Sequence, residues 1–194
     1  MNKGQLTMGN ARGLLCGQLV RLTATNAETE AEAFARWNAD AEYMRHLDSG
    51  PYQLYRAKKV REAIEKQQSE DPHTIEFAVR TLAEDKMIGF VAFDGIDWRN
   101  GDTFVAIGIG DPAYRGNGYG TDAMRVMLRY GFMELNLNRI QLDTFSYNER
   151  AIKSYLKAGF VEEGRQRGML LRNGRRWDFV YMSVLRDEWL KRET

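Results

Sequence analysis

A glycine-rich segment at residues 111–122, DPAYRGNGYGTD, contains the residue types needed to bind an anion. It lies between an apolar stretch and an amphipathic one, a setting in which main-chain N–H groups at the start of a helix converge on negative charge. Gly116, Gly118 and Gly120 permit close approach of that main chain, and Arg115 adds a positive side chain. A tight strand-to-helix turn that needs glycine for steric reasons alone is the alternative interpretation.

The spacing of these residues excludes two common phosphate-binding loops. No Gly-Lys-Ser or Gly-Lys-Thr follows, so the segment is not a P-loop, and the alternating glycines differ from the G-x-G-x-x-G spacing of dinucleotide-binding folds. A helix N-terminus contributes only about 0.3–1 kcal/mol to the binding of an anion. Several amides and Arg115 would therefore have to act together.

Two ordered motifs resemble the GNAT superfamily of N-acetyltransferases. RGNGYG at residues 115–120 is similar to its acetyl-CoA signature, Gln or Arg followed by two residues, Gly, one residue, and Gly or Ala. NERAIKSYLKAGF at residues 148–160 resembles its Asn-x-x-Ala-x-x-x-Tyr-x-x-x-Gly-Phe segment. FVEEG at 160–164 and NGR at 173–175 resemble the branch of ribosomal-protein N-terminal acetyltransferases and spermidine N-acetyltransferases. The likeness covers about residues 17–185.

The resemblance implies a site for acetyl-CoA as co-substrate. Tyr155 would point its hydroxyl at the thioester sulfur and act as general acid, and packing in an apolar helix face is its alternative role. Asn148 would touch the pantetheine or the adenosine side, and helix capping is its alternative. The strand before the glycine loop would run along the pantetheine arm, and the loop would hold the pyrophosphate. The residues implied to bind acetyl-CoA are Ile107, Gly108, Ile109, Arg115, Gly116, Asn117, Gly118, Tyr119, Gly120, Thr121 and Asn148.

The strand before the loop lacks the glutamate that many GNAT enzymes are thought to use as a base. TFVAIGIG at residues 103–110 has Val105 roughly where spermidine acetyltransferases carry this residue. Asp94 and Asp97 are alternative bases, whereas Asp111 precedes a proline and is placed to start a turn. A site without the strand carboxylate favours an amine that is already neutral near pH 7, which ranks protein N-termini above spermidine.

The sequence therefore predicts an acetyl-CoA-dependent N-acetyltransferase acting on a primary amine. A protein or peptide N-terminal α-amine is the first expectation, and a polyamine or another small amine is the alternative. A domain that binds acyl-CoA without turnover is a third, less favoured interpretation. Acceptor choice is expected to depend on residues 38–60 and 164–178.

Aromatic and basic side chains near these two regions have two interpretations each. The aromatic ones line an acceptor pocket or pack in the core, and they are Trp37, Tyr43, Tyr52, Tyr55 and Trp98. The basic ones attract an acidic partner or lie on a solvated strand face, and they are Arg165, Arg167, Arg172, Arg175 and Arg176.

Hydrophobic periodicity predicts a mixed α/β (α+β) fold, with a curved mixed central sheet flanked by helices. Residues 1–16 are interpreted as a flexible tail and residues 17–194 as a single domain. The predicted strands cover 17–23, 75–79, 87–93, 104–109 and 139–145, with further strands in 160–185 joined by an Asn173-Gly174 hairpin turn. The predicted helices cover about 26–37, 55–68, 121–135 and 148–159.

Composition limits the classes of partner. The 194 residues include 28 Lys and Arg against 27 Asp and Glu, a formal charge of +1, which is no overall footprint for nucleic acid or an anionic membrane. A single cysteine excludes an intramolecular disulfide and a cysteine zinc site. No apolar run approaches the roughly 20 residues that cross a bilayer. We expect a cytoplasmic protein without membrane, metal or direct nucleic-acid contact, and leave a homodimer open.

Overall fold

The computed structural model describes residues 13–193, apart from the side chains of residues 67–70 and 193. In this part of the chain a seven-stranded sheet carries six α-helices, which confirms the predicted mixed α/β fold. The strands are β1 Val20–Ala24, β2 Ile75–Thr81, β3 Met87–Asp97, β4 Asp102–Ile109, β5 Arg139–Phe145, β6 Val161–Arg172 and β7 Arg175–Leu185. The helices are α1 Ala27–Asn38, α2 Ala41–Leu47, α3 Ala57–Glu70, α4 Tyr119–Met133, α5 Glu149–Ala158 and α6 Arg186–Glu193.

The sheet has the order β1-β2-β3-β4-β5-β7-β6, and only the β4–β5 pair among these strands is parallel. A parallel neighbour requires a crossover connection, and here α4 supplies it. The connection between β4 and α4 contains the glycine segment, so the topology itself places that segment at the end of a central strand.

The main core lies between the sheet and α4. Met124, Met127, Leu128 and Phe132 recur at three- and four-residue spacing on α4 and are buried against the sheet, as their periodicity predicts. The helices α1 and α3 pack together in a second apolar cluster. Phe34 of α1 contacts the ring of Phe90 on β3.

Asp122 ties the beginning of the domain to the first turn of α4. Its buried carboxylate accepts hydrogen bonds from the N–H groups of Gln18 at 3.1 Å, Leu19 at 2.7 Å and Val20 at 3.0 Å. A Cβ at Gly17 would collide with this carboxylate. The strand β1 begins at Val20 rather than at the predicted residue 17 because a side chain, and not a neighbouring strand, binds these N–H groups.

The predicted tail lies outside the described residues as far as residue 12. Its last residues contact the domain: Arg129 donates to the carbonyl oxygen of Leu14 at 3.1 Å and of Cys16 at 2.7 Å. The N–H of Leu22 also donates to the carbonyl of Leu15 at 2.9 Å. Residues 14–16 are thus hydrogen-bonded to the domain, whereas a flexible tail was expected. The single domain over residues 17–194 stays a prediction.

Two described helices, α2 and α6, were not predicted from the sequence. The seven residues of α2 are fewer than the roughly 11–18 over which helical periodicity is recognised, and its start is set by Asp40, which caps the N–H groups of Glu42 at 3.0 Å and Tyr43 at 3.1 Å. The predicted hairpin turn is confirmed, since Asn173 and Gly174 have φ angles of 55° and 69°.

Within the described range no helix is long and apolar enough to cross a bilayer, and no cluster of three metal-binding side chains occurs. The cytoplasmic location and the homodimer stay predictions.

Candidate active site

The strands β4 and β5 separate shortly after they meet. Their parallel pairing joins residues 102–104 to residues 139–141, after which β4 stays paired with β3 as far as Ile109 and β5 continues against β7. Beyond residue 104 the edge of β4 that faces β5 has no strand partner in the described chain. Its main-chain groups are therefore available to an extended ligand.

The loop after β4 is shaped by glycines in the left-handed region. Gly116 and Gly118 have φ angles of +80° and +89°. Gly118 is the N-cap of the 15-residue α4, and no side chain caps the helix, so its first N–H groups can receive an anion. A Cβ at Gly116 would meet nothing within 4 Å, so this part of the loop faces open space. Asp111 starts the turn before the loop, as predicted, by accepting from the N–H of Ala113 at 3.0 Å.

Arg115 has a different position from the one expected. Its guanidinium donates to the carbonyl oxygens of Ile109 at 2.9 Å and Gly110, and forms an ion pair with Asp40 at 2.8 Å. Only 11% of the side chain is exposed. The guanidinium joins the loop to the end of β4 and to α2, and its expected contact with the pyrophosphate stays a prediction.

A cavity of about 760 Å³ joins the β4–β5 opening, the loop and α5. All the predicted site residues line it except Asn117 and Tyr119. The Asn117 amide donates to the carbonyl of Ala113 at 3.1 Å, and the Tyr119 ring packs against Tyr114 at 5.1 Å, so both shape the loop from outside the cavity. The predicted residues in the wall are Ile107, Gly108, Ile109, Arg115, Gly116, Gly118, Gly120, Thr121, Asn148 and Tyr155.

Cationic side chains on α4 and α5 line the same cavity and were missed in the sequence. Thr121 of α4 and Ser154 of α5 join the two helices through hydroxyls 2.7 Å apart. Helical spacing could have indicated these cations, because Lys153 and Lys157 are four residues apart on α5, the helix that carries Tyr155. The cations give this part of the cavity wall a positive charge. They are Arg125, Arg150, Lys153 and Lys157.

Tyr155 is half-buried in the cavity wall, where its ring packs against Phe160 at 6.0 Å. Burial and, to a smaller extent, the negative charge of Asp143 raise the pKa of its hydroxyl to about 12. The phenol therefore remains protonated through the neutral range and can donate to a leaving thiolate. Its position and protonation agree with the general-acid role, which stays a prediction.

Asn148 caps α5 and also joins it to α2. Its side-chain oxygen accepts from the N–H of Ala151 at 3.3 Å, and its amide nitrogen donates to the carbonyl of His46 at 3.5 Å. The capping alternative is thus confirmed. Because Asn148 also lines the cavity, a contact with acetyl-CoA stays a prediction.

Comparison with protein-family models matches residues 20–161 to the acetyltransferase (GNAT) domain. The chain belongs to this GNAT family. The putative ribosomal N-acetyltransferase YdaF of Bacillus subtilis is 32% identical over 108 residues, 56% of this chain and 58% of that protein. The spermidine N(1)-acetyltransferase of Vibrio cholerae is 32% identical over 110 residues, 57% of this chain and 63% of that protein.

A solved GNAT structure has the same fold. The spermidine N-acetyltransferase of Vibrio cholerae, in complex with CoA and spermine, superposes with a TM-score of 0.79 at 24% identity, covering 88% of this chain and 98% of that one. The resemblance seen in the two sequence motifs is therefore confirmed. This GNAT protein is an acetyl-CoA-dependent N-acetyltransferase, and acetyl-CoA is its co-substrate.

The residues of the cavity fit acetyl-CoA. The uncapped start of α4 and the cations of α4 and α5 suit its phosphates, and the unpaired edge of β4 suits an extended arm with amide groups. Tyr43, whose buried hydroxyl has no partner, also lines this cavity. When bound, acetyl-CoA supplies a thioester whose acyl carbon accepts an amine. Which side chains contact it stays a prediction.

The two aspartates considered as alternative bases do not line the cavity of this GNAT protein. Asp97 accepts from the N–H groups of Arg99 and Asn100, both at 2.9 Å. The hydrogen bonds from Asn100 hold the pKa of the Asp97 carboxyl below its ordinary value, as suits a turn residue. Asp94 is exposed and accepts from the hydroxyl of Thr74 at 3.2 Å. The structure supports neither as the base.

Arginines of the terminal hairpin are largely used inside the fold. Arg172 donates to the carbonyl oxygens of Asp48 at 3.0 Å and Gly50 at 3.3 Å, beyond the end of α2. Arg165 pairs with Glu162 at 2.7 Å. These contacts favour a structural role for this part of the cluster over the capture of an acidic partner.

Glu76 on β2 is a carboxyl group with an unusual pKa that the sequence analysis missed. It pairs with Ala92 of β3, which pairs with Ala106 of β4, so Glu76 lies on the same sheet face as Gly108. Burial and, to a smaller extent, the negative charge of Glu30 raise the pKa of Glu76 to about 7. Glu76 does not line the cavity, and we give it no catalytic role.

Substitution of Gly118 tests the loop. We expect Gly118→Asp to abolish CoA binding, because it places a negative charge and a side chain at the start of α4. Gly118→Asn has almost the same shape and meets the same positive φ without the charge, so we expect it to weaken binding less. Calorimetric titration of both folded variants with CoA measures the difference. Wild-type affinity in Gly118→Asp would contradict the site.

Substitution of Glu76 tests its raised pKa. Between pH 4.5 and about 7 the folded protein binds more protons at Glu76 than the unfolded chain, so this group lowers stability as the pH rises through that range. We expect Glu76→Gln to melt at a higher temperature than wild type at about pH 8, with a smaller difference at about pH 5. The exposed Glu32→Gln on α1 is the control and should show no such trend. Equal melting temperatures at the higher pH would disprove the burial effect.

Proposed function

We propose that this GNAT protein acetylates the α-amino group of a protein or peptide N-terminus, with Tyr155 as the proton donor to the leaving thiolate. One observation carries the choice of acceptor: residues 103–109 of β4 include no carboxylate, and Val105 of that strand is packed in the core. The strand that borders the cavity therefore offers no base to an amine that arrives protonated.

The pKa of the amine decides how much this absence costs. An α-amino group with a pKa of about 7.7–8.0 is converted to its neutral form at pH 7 for about 1 kcal/mol. An alkyl amine with a pKa of about 10.4 requires about 4.6 kcal/mol, from 3.4 units at 1.36 kcal/mol each. The neutral fraction differs by several hundredfold, so a site without a base favours the α-amine.

The part of α2 that lines the cavity supports the same acceptor. This helix lines one end of the cavity with Tyr43, His46 and Leu47, none of which is acidic. Arg172 binds the main chain beyond that helix, and the side chain of Arg45 bonds Asn173 on the hairpin. A polyamine carries several positive charges and is best bound among carboxylates, whereas an N-terminus requires room for one amine and a following chain.

A polyamine or other small amine is the second candidate. It is favoured by the similar fold of the Vibrio cholerae enzyme, which was solved with CoA and spermine. A binding module without turnover is the third, and the protonated Tyr155 in the cavity wall argues against it. Release of CoA thiol from acetyl-CoA, across free peptides, polyamines and aminoglycosides, separates the three.

The acceptor is tested by kcat/KM at pH 7 for two amines. We expect a short peptide with an N-terminal Ala or Ser to exceed spermidine, because more of the peptide amine is neutral. The rate for spermidine should rise more steeply between about pH 7 and 9 than that for the peptide. A preference for spermidine of tenfold or more at pH 7 would show the proposed acceptor to be wrong.

Tyr155→Phe tests the proton donor, since it removes only the hydroxyl. We expect kcat to fall by about 10²–10⁴-fold while the affinity for CoA is retained. Tyr130→Phe on α4 is a matched control, because Tyr130 is also half-buried but does not line the cavity. Normal turnover in Tyr155→Phe would leave Tyr155 with a packing role only.

A further inference from the structure

Tyr43 on α2 has a buried hydroxyl with no partner. The residue is 7% exposed, and its hydroxyl makes no hydrogen bond to any described residue. Buried tyrosine hydroxyls normally find a partner, since leaving one unpaired destabilises the fold. Tyr43 lines the acetyl-CoA cavity, and its hydroxyl lies beside Gly108, which lines the same cavity.

The hydroxyl lies over the face of β4 at Gly108. A Cβ at Gly108 would collide with it, so the glycine at this position makes room for the phenol. Gly108 lies on β4 beyond residue 104, where the strand has left β5. The uncapped start of α4 and the cations form the phosphate end of the cavity, and α2 lines another part of its wall. A ligand with phosphates at the first end has its acyl group away from them, toward β4 and α2.

The phenol is held in place before any ligand binds. Its helix is capped by Asp40, and the guanidinium of Arg115 lies 5.0 Å from the ring centroid. The carbonyl of Arg45, later in the same helix, accepts hydrogen bonds from Tyr147 and Arg172. A donor fixed in this way needs no reorganisation when charge develops beside it.

We propose that the Tyr43 hydroxyl donates a hydrogen bond to the carbonyl oxygen of the acetyl thioester and stabilises the negative charge that develops there. The inference rests on the function proposed above and adds a second catalytic residue, which acts on a different atom of the thioester from Tyr155. Tyr43 acts on the oxygen, and Tyr155 acts on the sulfur.

The proposed roles balance in atoms and charge. The lone pair of the neutral amine forms the new C–N bond, and the carbonyl π electrons move to the oxygen that Tyr43 holds. When this pair returns, the C–S bond breaks and the thiolate takes a proton from Tyr155. The nitrogen loses its extra proton to solvent, and Tyr155 regains one, which leaves an amide and a free thiol. Tyr43 transfers no proton.

The protonation of Tyr43 suits a donor that never ionises. Burial raises the pKa of its hydroxyl, and the charge of Asp40 raises it further, while Arg115 lowers it. The charges of Arg115 and Asp40 thus act in opposite directions on the pKa of Tyr43, and burial has the largest effect. The phenol is neutral at the pH of any acetylation assay.

Tyr43→Phe tests the proposal, with Tyr130→Phe as the matched control. We expect kcat for acetyl transfer to fall by about 10²-fold, the lower end of the loss for one donor to a developing oxyanion. We also expect acetyl-CoA to bind more weakly and CoA, which lacks the acyl oxygen, to bind as in wild type. The melting temperature should not fall, because the substitution removes an unpaired buried hydroxyl.

Each other result overturns the inference. Wild-type kcat in a folded Tyr43→Phe protein would show that the hydroxyl takes no part. Equal weakening of CoA and acetyl-CoA would place it on the pantetheine arm, and a large fall in melting temperature would make it a packing residue. If wild type releases no thiol with any amine, the proposed function fails, but the comparison of CoA with acetyl-CoA still tests the contact with the acyl oxygen.

Discussion

The guanidinium of Arg115 is the contact on which the geometry of the site depends. It bonds the last carbonyls of β4 and pairs with the residue that caps α2, and it lies over the ring of Tyr43. The end of β4 and the glycine loop that follows it are thereby fixed against the short helix α2, which is distant in sequence. Because 11% of the side chain is exposed, water competes little for these hydrogen bonds. The loop can then present its main chain to an anion without help from the same arginine.

The sequence predicted what local patterns encode and missed what depends on distant contacts. The glycines of the loop, the periodicity of α4 and the Asn173-Gly174 turn are local signals, and the structure has the corresponding elements. The bonds of Arg115 to the end of β4 and to Asp40 were not predicted, because a motif names a residue type and does not say which way its side chain points. The helix α2 was missed because seven residues are too few to establish a helical periodicity, and Arg115, which pairs with its cap residue Asp40, lies 75 residues further along the chain.

The site contains several groups that the fold leaves unsatisfied. The start of α4 has no side-chain cap, the edge of β4 has no strand beyond residue 104, and Tyr43 has no hydrogen-bond partner. The Tyr43 hydroxyl costs stability in the free protein, because a buried polar group without a partner is expensive, whereas Gly116 and Gly118 before α4 are exposed. All three border one cavity, and groups elsewhere are largely paired. This concentration is what is expected where a ligand completes the hydrogen bonding.

The absence of a base on β4 follows from packing as well as from residue type. Val105 is 5% exposed, pairs with Phe93 on the neighbouring strand and belongs to the main apolar core. A glutamate at this position would lose its hydration and would have a raised pKa, so it would be neutral and unable to accept a proton unless the core opened. The core of this protein is thus built for an apolar residue at position 105. Under the proposed function the acceptor must provide its own neutral form, and the pKa of the amine becomes part of its specificity.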